Sequence, residues 1–151
     1  MITFQVEQLS LSTQKELEGL IDLHWEEIAG DKDVIKLDPD WPAYYACQAA
    51  GQLQFLVVRA DGVMIGYHVG FVRPHLHYRQ SLSLITDIYY LHPNYRLGRT
   101  GIQLFKEVEK ACKQRGIQKI FTGSKVKHDK SSILSRLGYR LTETLYTKLV
   151  S

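Results

Sequence analysis

The sequence predicts an α/β fold, a central mixed sheet with helices on both faces. Three observations carry that reading. Two strand-like runs, residues 53–59 and 63–72, flank Asp61-Gly62, a tight-turn pair that joins antiparallel strands. Residues 83–91 are apolar on both faces, as a strand inside a sheet must be. This strand, the stretch 100–115 and the run 117–121 then make a strand–helix–strand unit, which yields parallel neighbours and a right-handed crossover. A hairpin and a crossover in one chain require a mixed sheet.

The elements follow in order. Residues 2–7 alternate through Ile2, Phe4 and Val6 and read as a strand. Thr13 with Glu16 reads as a capping box. Leu17, Leu20, Ile21, His24 and Ile28 then recur at helical spacing until Gly30. Residues 31–42 are rich in Asp and Pro and read as a loop, and a short helix over Ala43–Ala50 stops at Gly51. Residues 74–81 read as an exposed connection. In 100–115, Ile102, Leu104, Phe105, Val108, Ala111 and Cys112 form one apolar stripe, and Gly116 ends it. A helix over 129–137 ends at Gly138, and residues 143–150 read as the last strand, with an exposed edge on which two copies could pair.

The length of 151 residues fits one domain spanning 1–151, large enough to bury a core without staples. A net charge of +3 is too weak to imply nucleic acid by itself but tolerates a polyanionic ligand. Cys47 and Cys112 lie far apart without metal-ligand spacing and read as buried free thiols of a reducing compartment. The N-terminal residues lack a signal-peptide pattern, and no apolar run is long enough to span a bilayer. A soluble cytoplasmic protein, with no membrane partner, is the expectation.

Chemistry concentrates in Leu91-His92-Pro93-Asn94-Tyr95-Arg96-Leu97-Gly98-Arg99-Thr100-Gly101-Ile102. A strand ends, a polar loop with two glycines follows, and a long helix begins. A first helical turn has unpaired N–H groups and a positive dipole end. Glycine lets a phosphate approach the backbone, and Arg96 and Arg99 are placed to add charged donors. Together these make a pyrophosphate cradle. The loop is neither a P-loop nor a dinucleotide fingerprint, since no Gly-Lys-Ser/Thr follows and the third glycine is missing.

The same stretch resembles the acetyl-CoA motif of the GCN5-related N-acetyltransferases (GNAT). Pro93, Tyr95, Arg96 and Gly101 match it. Arg99 stands where the motif has its middle glycine, and Gly98 lies one residue earlier. Leu137-Gly138-Tyr139-Arg140 resembles the family's helix end before its last strand. The order of elements agrees over the whole chain, and small phage and bacterial members are the most similar.

The resemblance implies acetyl-CoA as co-substrate, no metal, and direct attack by a primary amine on the thioester. It implies that Tyr89, Tyr90 and Leu91 meet the pantetheine arm, and that the amides of Arg96, Leu97, Gly98, Arg99, Thr100, Gly101 and Ile102 hold the pyrophosphate. Asp87 is the candidate base. Alternation puts Ile85, Asp87, Tyr89 and Leu91 on one face, and a carboxylate desolvated there would hold its proton more tightly. A structural Asp bonded to backbone or arginine is the competing reading. The family's thiolate-protonating tyrosine falls on Leu134 here, so no tyrosine carries over from it; Tyr89 is the candidate acid beside Ser131, Ser132 and His128, and departure of the thiolate without a dedicated acid is the alternative.

His24 and Trp25 either line the acceptor pocket or sit at the edge of the core. His75 and His77 share a face but lack a third ligand. Lys125–Lys130 is a solvated loop or a contact to coenzyme A phosphate. The acidic residues Glu26, Glu27, Asp31, Asp33, Asp38 and Asp40 form a polar surface or attract a cationic amine. The acceptor itself, a small molecule or a protein, is not specified. An acyl-CoA-binding module acting through protein contacts and a nucleic-acid-modifying enzyme are the alternatives, and no interleaved basic–aromatic groove favours the latter.

Overall fold

A computed structural model describes the chain from Met1 to Ser151. Its elements are β1 (Ile2–Val6), α1 (Leu11–Ile28), α2 (Trp41–Ala49), β2 (Leu53–Ala60), β3 (Val63–His75), β4 (Tyr78–Leu91), a 3-10 turn (Pro93–Tyr95), α3 (Thr100–Gln114), β5 (Lys119–Phe121) and α4 (Ser131–Arg136). The five strands form one sheet in the order β1-β2-β3-β4-β5. β1 to β4 pair antiparallel, and β4 pairs parallel with β5. The mixed sheet is as the sequence predicts.

Each face of the sheet carries its own core. On one, Leu17 and Leu20 of α1 and Trp41, Tyr44 and Tyr45 of α2 pack against Phe55, Val57, Tyr67, Val69 and Tyr90. On the other, Leu104, Val108 and Cys112 of α3 pack against Leu56, Val58, Ile65, Leu84 and Leu91. β2 and β3 are buried on both sides, because both layers cover them.

The helix starts differ from the sequence reading. α1 is capped by Ser10, whose side chain accepts from the Thr13 amide while the Thr13 hydroxyl accepts from the Ser10 amide. Thr13 is thus the third helical residue. Glu16 instead meets Arg59, 2.7 Å away, which also pairs with Glu7. Those bonds hold the Glu16 carboxyl below its usual range. α2 begins two residues early, since Asp40 caps it by accepting from the Ala43 amide and Pro42 suits a first turn. Both cysteines are free, but only Cys112 is buried; Cys47 is half-buried.

Three expectations fail. Residues 74–81 are not a loose connection: β3 and β4 run on as one long hairpin that turns at Leu76-His77. α4 is shorter than the 129–137 read from the sequence. Residues 143–150 form no strand and lie exposed, although their composition favours one. Nothing in the single chain pairs with them.

Candidate active site

The ladder between β4 and β5 is short. It pairs Ser83 with Lys119, Leu84 with Ile120 and Ile85 with Phe121, and then stops. β4 continues alone on that side from Thr86 to Leu91. Side chains bridge the resulting fork. The Thr86 and Thr122 hydroxyls lie 3.0 Å apart, and farther out the Tyr89 hydroxyl donates to the Gly123 carbonyl at 2.8 Å. The fork exposes a β4 edge, the natural partner for an extended amide-bearing ligand.

A bulge in β4 decides which groups face which side. Val69 pairs with Ile88 and Gly70 with Thr86, so Asp87 is the extra residue. Strict alternation therefore breaks there. Ile88 and Tyr90 pack on the α1/α2 face, whereas Tyr89 packs edge-on to Phe105 of α3, 5.3 Å between centroids. Asp87 turns to the α2 side and accepts a very short hydrogen bond from the Tyr44 hydroxyl. The expectation that Asp87 and Tyr89 share a face is wrong, because period two does not survive an inserted residue. Asp87 is also exposed rather than desolvated.

Around Asp87 stands an aromatic wall that sequence reasoning missed. Tyr44 stacks on Phe71 at 5.9 Å and meets Trp41 at 5.8 Å. Burial, reinforced by the bond to Asp87, pushes the Tyr44 phenol well above its ordinary pKa, so it stays a donor. The three-residue spacing of Trp41 and Tyr44 on a helix was visible in the sequence. Their meeting with Asp87 was not, since the bulge creates it.

The loop after β4 carries the cofactor reading. His92 accepts from the Asn94 amide and starts the 3-10 turn. Gly98 adopts φ +90°, a conformation that favours glycine. α3 then begins with no side-chain cap. Its first internal bond near the N-terminus runs from the Gln103 amide to the Arg99 carbonyl. No backbone acceptor in the chain takes the amides of Leu97, Gly98, Arg99, Thr100, Gly101 or Ile102. A β-carbon on Gly101 would meet nothing within 4 Å, and its φ is not positive. Neither packing nor backbone geometry therefore calls for glycine there. An anion resting against the helix start does, so these residues fit a pyrophosphate.

Arg96 does not join that cradle. Its Nε donates to the Leu91 carbonyl at 2.7 Å, and its two terminal nitrogens grip Glu27 at 2.6 and 2.7 Å. Its amide is taken by Pro93. The side chain bolts the loop to β4 and α1, and the Arg96 bond keeps the Glu27 carboxyl below its usual range. Arg99 is exposed and makes no such bond, so it remains the side chain available to a phosphate.

The other candidates fall as follows. His24 is buried, with Nδ1 2.7 Å from the Tyr67 hydroxyl and its ring stacked on Tyr90 at 4.9 Å. Burial pushes its pKa down to about 4, so it is a neutral core group. Trp25 is half-buried and carries Lys32 over its ring. His75 and His77 sit at the hairpin turn, and no group of three His, Cys, Asp or Glu residues gathers in the chain. In the run 125–130, Asp129 accepts from the Ser131 amide and hydroxyl just before α4, and His128 and Lys130 lie close enough to Glu27 to lower its pKa further.

Leu134 is buried. Tyr139, just past α4, was not singled out. Its ring packs edge-on to Phe105 at 6.4 Å, the ring that Tyr89 also meets edge-on. Its buried hydroxyl makes no hydrogen bond of good geometry, with the Thr122 side chain its nearest polar neighbour. Burial raises the pKa of both phenols, so both remain protonated near neutrality.

Comparisons with known proteins agree with this geometry. Residues 17–139 match the model of the Acetyltransferase (GNAT) family. The solved structure of glucosamine-6-phosphate N-acetyltransferase from Arabidopsis thaliana superposes with a TM-score of 0.72 at 14% identity, covering 99% of each chain. A predicted acetyltransferase from Clostridium acetobutylicum, solved with acetyl-CoA, gives 0.69 at 16% identity, covering 99% of this chain and 97% of that one. An aminoglycoside acetyltransferase from an uncultured soil metagenomic sample gives 0.73 at 16%, covering 99% of each. No curated protein sequence matches. At these identities the structures establish the fold, and the family model establishes membership: the chain belongs to the GNAT acetyltransferase family and is an acetyl-CoA-dependent N-acetyltransferase.

Proposed function

We propose that the enzyme acetylates a primary amine that enters on the α1/α2 face, against Trp41, Tyr44 and Phe71, with Asp87 as its proton acceptor. The observation that carries this reading is the bulge, which turns Asp87 to the face opposite Tyr89. An amine bearing apolar carbon suits an aromatic wall with one carboxylate. Acetyl-CoA binds with its pyrophosphate on the amides of Leu97 to Ile102 and its pantetheine along the open edge of β4, beside Tyr89, Tyr90 and Leu91.

The chemistry then divides between the two faces. Asp87 attracts the ammonium and takes its proton, directly or through water. The amine nitrogen forms a bond to the acetyl carbon, the carbon–sulfur bond breaks, the nitrogen gives up its second proton to water, and the thiolate leaves toward the α3 face. There Tyr89 or Tyr139 gives it a proton, and the phenol regains one from water. Tyr139 has the better claim, since its hydroxyl is unengaged whereas that of Tyr89 already serves Gly123. Tyr44 holds Asp87 in place.

The acceptor is a small molecule or an exposed protein amine, and the proposal includes a second copy of the chain as partner. It also places the enzyme in the cytoplasm, where two free thiols stay reduced. No helix is long and apolar enough to cross a membrane.

Thiol release from acetyl-CoA, measured over a panel of primary amines, tests the reading. With the best acceptor, Asp87→Asn is expected to lower kcat by about 100-fold or more while the Kd for acetyl-CoA stays unchanged. An unaltered kcat removes Asp87 from the mechanism. Failure of every amine would favour a module that binds acyl-CoA and acts through protein contacts.

A further inference from the structure

The face of the sheet that carries Asp87 is ordered in rows. Arg73 of β3 pairs with Ser83 of β4, and Ser83 with Lys119 of β5. Two residues farther along β4, Phe71 pairs with Ile85 and Ile85 with Phe121. Directly paired residues point to one face of a sheet. Here it is the α1/α2 face, because the alternate residues Val72, Leu84 and Ile120 pack in the α3 core and Phe71 stacks on Tyr44. Asp87 comes next along β4, bonded to the same Tyr44. The first row is thus cation, hydroxyl, cation. The second is apolar, and a carboxylate stands beyond it.

Both cations lean along this face toward Asp87. The Arg73 guanidinium lies 5.2 Å from the Phe71 ring centroid, and the Lys119 ammonium 4.9 Å from that of Phe121. Neither makes an ion pair. Between them Ser83 is only 3% exposed, and its hydroxyl has no partner in the chain. Arg73, Ser83 and Ile85 line a cavity of about 210 Å³, bordered by His75 and His77 of the hairpin turn, and no acidic residue lines it. Two unpaired cations and an unbonded hydroxyl are a donor set for an anion. The like charges on either side of Ser83 also repel each other, and a bound anion would relieve that repulsion.

We infer that the acceptor is a bipolar molecule, a primary amine that also carries a carboxylate or a phosphate. It presents the amine to Asp87, lays an apolar chain across Phe71, Ile85 and Phe121, and anchors its anion on Arg73, Ser83 and Lys119. Successive rows on one strand face are about 7 Å apart. The cationic heads, which reach over the apolar row, therefore stand on the order of 7–10 Å from Asp87. A chain of about five or six carbons with an amine at one end and an acid at the other spans that distance. The inference rests on the proposed seat of the amine at Asp87 and narrows the acceptor to a class. A plain alkylamine would leave both cations unmet.

Thiol release with hexylamine, ε-aminocaproate and aminohexyl phosphate compares one chain with no anion, a carboxylate and a phosphate. One of the two anionic amines is expected to exceed hexylamine in kcat/KM by about tenfold or more, through KM. Which of them does so identifies the anion. Arg73→Gln and Lys119→Gln change exposed positions, and each should cut that preference. Arg73→Glu should turn it toward hexanediamine. Equal kcat/KM for hexylamine and both anionic amines overturns the inference. So does a preference that survives both glutamine variants, which would put the anion elsewhere. Titration with caproate, which has no amine, reads the anion seat apart from the chemistry. Caproate binding that Arg73→Gln weakens, in an enzyme that turns over no amine, would remove Asp87 from its role and keep the anion seat. Neither caproate binding nor turnover of any amine would overturn both.

Discussion

The two ends of the sheet treat their backbone in opposite ways. From β1 to β4 every strand is paired along most of its length, and both faces of β2 and β3 are covered. On the β5 side of β4 the pairing lapses. β4 loses its neighbour after Ile85, six consecutive amides from Leu97 to Ile102 have no backbone acceptor, and the tail pairs with nothing. None of these amides is buried, so water satisfies them in the free chain and a ligand can take them over. The ladder end gives rigidity, and the fork end holds the proposed cofactor site. Changes that stress the ladder should therefore register as stability, and changes in the fork as binding.

Acid is the largest stress available. His24 on α1 and His68 within β3 are buried on opposite faces of the sheet, and burial lowers each pKa to about 4. His68 is fully buried between Tyr89 and Phe105, and its Nδ1 has no partner. Both are thus neutral in the fold, while the unfolded chain takes up their protons from about pH 6.5 downward. The stability tied to them is complete above pH 6.5 and is lost as the pH falls toward 4. The slope is up to about 1.4 kcal/mol per pH unit for each histidine. Urea melts between pH 7 and 4.5 should show it, and His68→Gln should flatten it. An unchanged slope in that variant would mean that His68 takes up its proton without unfolding.

A smaller stress tests the closeness of the ladder. A β-carbon on Gly66 would lie 2.7 Å from the Tyr90 carbonyl oxygen and 3.0 Å from Leu91 Cδ1. The first neighbour is backbone of a paired strand and cannot move aside cheaply. Gly66→Ala is expected to cost about 1–3 kcal/mol by overpacking, and at this size roughly 2–4 °C in Tm for each kcal/mol. A wild-type melting temperature would show that the ladder yields as readily as the fork.

The sequence announced the mixed sheet because its signals are local. Asp61-Gly62 specifies a turn by backbone conformation alone, and the stripe from Ile102 to Cys112 specifies a helix face. The cradle was legible for the same reason, as a strand end, two glycines and a helix start in one stretch. What stayed hidden depends on distant pairing. Period two cannot reveal that Asp87 is an inserted residue, since the bulge exists only relative to β3. Hence Asp87 was assigned to the wrong face, and Tyr44 and Trp41 were not recognised beside it. Arg96 looked like a phosphate donor because Glu27, its actual partner, lies on α1. Residues 143–150 have the composition of a strand, but composition does not say whose sheet a strand joins.

Gly101 offers the gentlest change and the one that most cleanly separates the two behaviours. Its φ is ordinary for a helix and open space surrounds the missing β-carbon. In a protein selected for stability alone, alanine would stand there, since glycine in a helix costs about 0.5–1 kcal/mol relative to alanine. Gly101→Ala is therefore expected to raise the stability of the free enzyme by up to about 1 kcal/mol, less if the first turn frays. The same methyl group would stand between the amides and a pyrophosphate, so affinity for acetyl-CoA should fall, by about tenfold if it displaces the phosphate enough to lose one hydrogen bond to a charged group. Thermal melts and calorimetric titration of one variant measure both. A gain in stability with a loss in affinity would show that this glycine is kept for the ligand at the expense of the fold. A gain in stability with full affinity would move the pyrophosphate away from the start of α3.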